Sequence, residues 1–130
     1  MSKTNNPKPD QAIESLICPI RYLNSVFGGK WKLLIVCILA GDAPVRYSAI
    51  KRRLGDITNV MLSQSLKDLE SSGIVYREQF NEVPPRVEYS LTDKGRLVEP
   101  MLAQLVNWAE ETVKAEEGSR TLCGKCQAIN

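Results

Sequence analysis

The side chains able to do covalent chemistry are few. Histidine is absent from all 130 residues, which removes Ser-His-Asp and Cys-His nucleophiles, imidazole acid–base catalysis and every His-containing metal site. No paired carboxylates and no Gly-rich phosphate loop stand in the chain, so the sequence predicts neither an enzyme nor a bound cofactor. Four cysteines remain. Cys18 precedes Pro19 at a helix start, where the helix dipole and nearby Arg21 favour a thiolate; the alternative is a small residue buried between two copies of the chain. Cys37 lies in an apolar helical run and reads as inert core. Cys123 and Cys126 form a C-x-x-C near the terminus with three readings. They are a reducible disulfide pair, resolving partners for an oxidised Cys18 across a dimer, or half of a thiolate zinc site completed only across subunits, and against all three stand idle thiols in a tail.

The remaining chemistry is recognition. Between 59 and 72, Leu62, Leu66 and Leu69 recur on one side of a helix while Val60, Gln64, Lys67 and Ser71 fall on the other. Thr58, Asn59, Val60, Ser63, Gln64 and Lys67 are therefore candidate readers of a DNA major groove. Gln64 has the bidentate geometry for adenine, the hydroxyls serve base or phosphate, Val60 suits a thymine methyl, and Lys67 suits a phosphate. Net charge is only +2, but the span 18–60 carries seven basic residues against Asp42 and Asp56, a net of +5. Positive charge so concentrated fits a nucleic-acid face. Lys51, Arg52 and Arg53 are candidate phosphate contacts, and Arg86 at the wing is a candidate for the DNA backbone or minor groove, with ion pairing to Glu82 or Glu88 as its alternative.

These residues need elements to hold them. The pattern predicts a polar, mobile tail over 1–17, a domain over 18–115 and a flexible tail with the C-x-x-C over 116–130. Pro19 opens a helix that Gly28-Gly29 ends, and a second, apolar helix covers 30–40 with Gly41 as its C-cap. An extended stretch at 45–47 leads to a short basic helix over 49–54, capped by Ser48. Gly55 and the Thr58 cap separate it from the helix at 59–72, and two helices joined by such a tight turn form a helix-turn-helix. Strands at 74–80 and 87–91 flank a stiff loop containing Pro84-Pro85, a wing. From Thr92 a long helix runs to 115, unless regular helix starts at Pro100. Its apolar stripe includes Leu97, Met101, Leu102, Leu105, Trp108, Ala109 and Val113, more than so small a domain covers by itself, so a second copy is the expected partner. No window approaches the roughly 18 uncharged apolar residues that span a bilayer, and residues 1–10 lack the apolar core of a secretory signal. A cytoplasmic location and no membrane partner are expected.

The predicted fold is thus mainly α with a small β-hairpin wing, a winged helix-turn-helix with flanking N- and C-terminal dimerisation helices. The stretches Cys18-Pro19, Gly28-Gly29-Lys30-Trp31, Arg46-Tyr47-Ser48, Leu62-Ser63-Gln64-Ser65-Leu66, Asp68-Leu69-Glu70, Gly73-Ile74-Val75, Val83-Pro84-Pro85-Arg86-Val87-Glu88-Tyr89 and Leu91-Thr92-Asp93-Lys94-Gly95 occur in this order. Together they resemble the HxlR-type winged helix-turn-helix transcriptional regulators, over about 18–113. The resemblance implies a homodimer that binds double-stranded DNA at a palindromic operator and responds to an oxidant or small-molecule effector. At Cys18-Pro19 it implies a redox or electrophile sensor. Ile20, Leu23, Met101, Leu102, Leu105, Trp108 and Ala109 are the candidate dimer contacts. Winged helices also serve as protein-interaction modules, and the alternative is such a module without specific DNA binding. The +5 span favours DNA.

Overall fold

A computed structural model describes residues 17–117; the N-terminal tail up to 16 and the C-terminal tail, with Cys123 and Cys126, lie outside the described residues. The element order is α1 (Pro19–Phe27), α2 (Lys32–Asp42), β1 (Val45–Arg46), α3 (Tyr47–Leu54), α4 (Asn59–Ser71), β2 (Val75–Phe80), β3 (Arg86–Leu91), α5 (Asp93–Arg96) and α6 (Glu99–Glu117). No single helix among the described residues is long and apolar enough to cross a membrane.

The core forms around α2, whose Ile35, Val36, Ile38 and Leu39 are all buried. A helix apolar on most sides has no solvent face to offer and must be enclosed. Val26 and Phe27 from α1, Ile50 from α3, Leu62, Leu66 and Leu69 from α4, and Val75, Tyr89 and Leu91 from the sheet enclose it. Gly41 does not cap this helix, which runs on to Asp42 before Pro44. The Ala43 N–H closes it by bonding Leu39 O at 3.1 Å.

The sheet has three strands in the order β1-β3-β2, all antiparallel. The stretch expected to be merely extended is its third strand, with Val45 opposite Tyr89 and Arg46 opposite Glu88. That pairing starts α3 at Tyr47, and Ser48 is not its N-cap: Arg46 occupies that position with no side-chain cap. The wing strands begin at Val75 and Arg86, each one residue from where residue type alone put them.

Helix α4 has well-defined ends. Thr58 caps α4 by accepting from Met61 N at 3.1 Å. At the other end Gly73, at φ 79°, takes the left-handed turn that glycine enters without Cβ strain. The Ile74 N–H bonds Leu69 O at 2.9 Å and the Gly73 N–H bonds Glu70 O at 3.0 Å, the two bonds of a Schellman closure. Its apolar partners, Leu69 and Ile74, are both buried. The C-terminal helix is broken rather than continuous, because α5 ends at Arg96 and α6 begins at Glu99. A proline within an unbroken helix would clash with the carbonyl four residues back, whereas in the first turn its missing N–H costs nothing. Pro100 is the second residue of α6, which runs to Glu117.

Candidate nucleic-acid interface

On α4 the core takes Leu62, Ser65, Leu66 and Leu69, and the opposite face is open to solvent. Thr58, Asn59, Val60, Ser63, Gln64 and Lys67 are all exposed, with Val60 at 77%. The predicted readers therefore share one uncovered surface. Met61, also exposed, borders it, and its position in the first turn was the available signal.

Three local bonds arrange this face. The Tyr47 hydroxyl lies 3.2 Å from Asn59 O, 3.4 Å from Asn59 Oδ1 and 3.0 Å from Ser63 Oγ, pinning the start of α3 to the start of α4. The Tyr47 ring is half-buried against the core, and its hydroxyl belongs to the exposed face of α4. The Gln64 amide nitrogen donates to Asp68 Oδ1 at 2.8 Å, while Asp68 Oδ2 lies 3.5 Å from Lys32 Nζ. One amide N–H is thus engaged, and the other N–H and the carbonyl remain to meet a base edge.

The cations divide. Lys51, Arg52 and Arg53 all sit in the last turn of α3, where they also complement the helix dipole. Arg53 is bonded to Asp42 through Nη1, whereas Arg52 is exposed and Lys51 half-exposed. Arg86 is 2.9 Å from Glu82 and 3.3 Å from Glu88, and its guanidinium carbon stands 4.0 Å from the centroid of the Phe80 ring. Of its two readings, the structure shows the ion pair.

Between α4, the start of α3 and the wing lies an open groove of about 900 Å³, lined by Arg46, Lys67, Arg77, Pro84 and Pro85 among others. Arg46 and Arg77 were not singled out from sequence. Strand alternation is the signal for Arg77, since it lies opposite buried Tyr89 and so on the inner face of the sheet, beside α4. Burial pushes the Tyr89 hydroxyl above the ordinary tyrosine range, opposed by Arg77.

At the far side, Cys18 is exposed and occupies the N-cap of α1 without a capping side-chain bond. The backbone N–H groups of Arg21 and then Ile20 face the sulfur and hold the thiol below its ordinary range, with Arg21's charge helping. Near it Ile17, Ile20 and Tyr22 are uncovered, as are Leu97, Met101, Leu105 and Trp108. Ala109 is also exposed, while Leu23 is half-buried against the core. Leu102 differs from the other candidate contacts: at 3% exposure it packs inside its own chain. Among the described residues no group of three metal-ligating side chains occurs.

Comparison with known proteins fits this architecture. The family model for the HxlR-like helix-turn-helix matches residues 26–117. An uncharacterised HTH-type transcriptional regulator of Halalkalibacterium halodurans is 48% identical over 90 residues, covering 69% of this chain and 80% of the relative. The reduced form of the redox regulator HypR superposes with a TM-score of 0.72 at 39% identity, over 77% of this chain and 98% of that one. Reduced YodB, a transcriptional regulator from B. subtilis, gives 0.65 at 32% identity, over 80% of this chain and all of its own. Two of these are described as transcriptional regulators and the third as a redox regulator. With its three-stranded antiparallel sheet and the open face of α4, the chain belongs to the HxlR-like helix-turn-helix family of transcriptional regulators.

Proposed function

We propose that the protein is a cytoplasmic homodimer that lays α4 in the major groove of a palindromic operator and adjusts that binding through Cys18. The observation that carries the reading is the face of α4. Thr58, Asn59, Val60, Ser63, Gln64 and Lys67 are exposed together on a helix narrow enough for a major groove, and the groove beside it leads to the wing. A second copy accounts for Ile20, Leu97, Met101, Leu105 and Trp108, which no element among the described residues covers. Two-fold symmetry then places the two α4 helices on half-sites about one helical turn apart.

The switch rests on Cys18. An exposed thiol held toward its thiolate is the form that attacks oxidants and electrophiles. HypR is a redox regulator by its description, and this chain shares its fold. Modified, Cys18 would displace α1 against α6 and change the separation of the recognition helices.

Fluorescence anisotropy of a labelled duplex from upstream of its own gene, titrated with reduced and with oxidant-treated protein, tests both parts. Tight binding that resists scrambled competitor and is lost in the Lys51→Glu, Arg52→Glu double variant supports the DNA reading. An oxidant response present in the parent and absent in Cys18→Ser supports the switch. Charge reversal without effect on affinity would instead favour a protein-interaction module.

A further inference from the structure

The wing is built around an arginine that is already occupied. Phe80 and Arg86 are register partners at the base of the wing loop, which explains the stack of guanidinium on ring. The two terminal nitrogens then divide between carboxylates, Nη2 to Glu82 within the loop and Nη1 to Glu88 two residues along β3. The remaining Nε is buried, with no hydrogen-bond partner. Beyond this clasp the chain turns through Val83, Pro84 and Pro85, all exposed, Val83 completely so.

A phosphate contact at Arg86 would bring a polyanion beside Glu82 and Glu88, the two carboxylates its terminal nitrogens already serve. The tip offers no side-chain donor, because its side chains are aliphatic, and its two prolines lack N–H groups, which leaves the Val83 N–H alone. Small apolar wedges on stiff backbones are the chemistry used against minor-groove walls and base steps. The tip is also continuous with the recognition surface, because Pro84 and Pro85 line the same groove as Ser63 and Lys67 of α4.

We infer that the wing meets the minor groove beside α4 with its apolar tip, Val83-Pro84-Pro85, and that Arg86 is a positioning residue that holds this tip and does not contact DNA. The inference rests on the DNA-binding reading and names the chemistry of its second contact. Apolar contact adds affinity that salt does not screen, whereas a phosphate contact adds to the salt dependence.

The test starts with duplexes selected by the parent protein from a random-sequence pool, then titrates them across a range of salt. Val83→Ser should weaken binding about threefold to tenfold at every salt concentration, leaving the slope of log affinity against log salt unchanged. Val83→Ile should restore it, and because the side chain touches nothing in the free protein, thermal melting of both should match the parent. A wing with Glu82, Arg86 and Glu88 all replaced by glutamine should keep the parental slope. Undiminished affinity in Val83→Ser, or a slope about one unit shallower per protomer in the glutamine wing, overturns the inference alone. A selection that enriches no duplex overturns the DNA-binding reading and this inference with it.

Discussion

Alanine is the better helix former, yet Gly95→Ala should destabilise this protein. Gly95 lies within α5, where replacing glycine ordinarily contributes about 0.5–1 kcal/mol of stability. Here an added Cβ would stand 2.3 Å from the Ile74 carbonyl oxygen and 3.2 Å from its carbon. Since the obstacle is backbone, relief to an ordinary contact of about 3.5 Å requires α5 and the exit of α4 to part by roughly an ångström. That movement strains a knot of bonds: Thr92 N to Ile74 O at 3.0 Å, Gly95 N to Thr92 Oγ1 at 3.0 Å, and the Thr92 hydroxyl to Gly73 O. Overpacking costs about 1–3 kcal/mol and a lost bond about 1 kcal/mol, so after the propensity gain the net loss is about 2–3 kcal/mol. Urea denaturation followed by circular dichroism, at equal protomer concentration, should show a midpoint lower by about 1 M for a slope of 2–3 kcal/mol/M. A midpoint equal to or above the parent's would refute the close approach on which the argument depends.

Three further outcomes are expected. The alkylation rate of Cys18, taken as parent minus Cys18→Ser, should reach half its maximum at a lower pH than that of cysteine in an unstructured peptide, because the N–H groups of Arg21 and Ile20 favour the thiolate; a half-maximum at or above the peptide's contradicts this. Trp108 is 67% exposed on α6, so Trp108→Glu should convert dimer to monomer in sedimentation equilibrium, and a variant that stays dimeric rules this face out. Tyr47→Phe removes the hydroxyl beside Asn59 and Ser63 and should lower stability by about 0.5–1 kcal/mol in the same urea assay; no change would show those bonds to be idle.

The elements legible in the sequence are those whose causes are local. The Thr58 and Thr92 caps, the Gly73 turn and the period of Leu62, Leu66 and Leu69 act within a few residues of themselves, and the chain folds there as they indicate. Partnerships made across distance were not legible. Val45-Arg46 is too short to read as a strand until Tyr89 and Glu88 lie opposite it. Tyr47 looks like core until α4 packs within reach of its hydroxyl, 12 residues on. Leu102 sits in the same apolar stripe as Leu105, and only the direction of α6 buries one and uncovers the other. Charge behaves likewise: a sequence counts Arg53 and Arg86 as cations, and the fold spends both on carboxylates.

That last distinction sets a ceiling on salt dependence. The helix-turn-helix and wing carry Arg46, Lys51, Arg52, Arg53, Lys67, Arg77 and Arg86. Two of these are committed to carboxylates, Arg53 to Asp42 and Arg86 to Glu82 and Glu88. Arg77 bonds the neutral Gln79 and faces the Tyr89 hydroxyl, and among the described residues neither it nor Arg46, Lys51, Arg52 or Lys67 has an ion pair. A dimer thus offers about ten cations for phosphate instead of about fourteen, and at about 0.9 per phosphate the slope of log affinity against log salt should not exceed roughly nine in magnitude. Within that limit, Arg52→Gln should flatten the slope by about two per dimer, while its neighbour Arg53→Gln leaves it in place, though the two arginines are adjacent in sequence and identical in charge. An equal effect from both would mean that the Arg53–Asp42 pair opens on DNA, and that pairing in the free protein does not decide which cations reach phosphate.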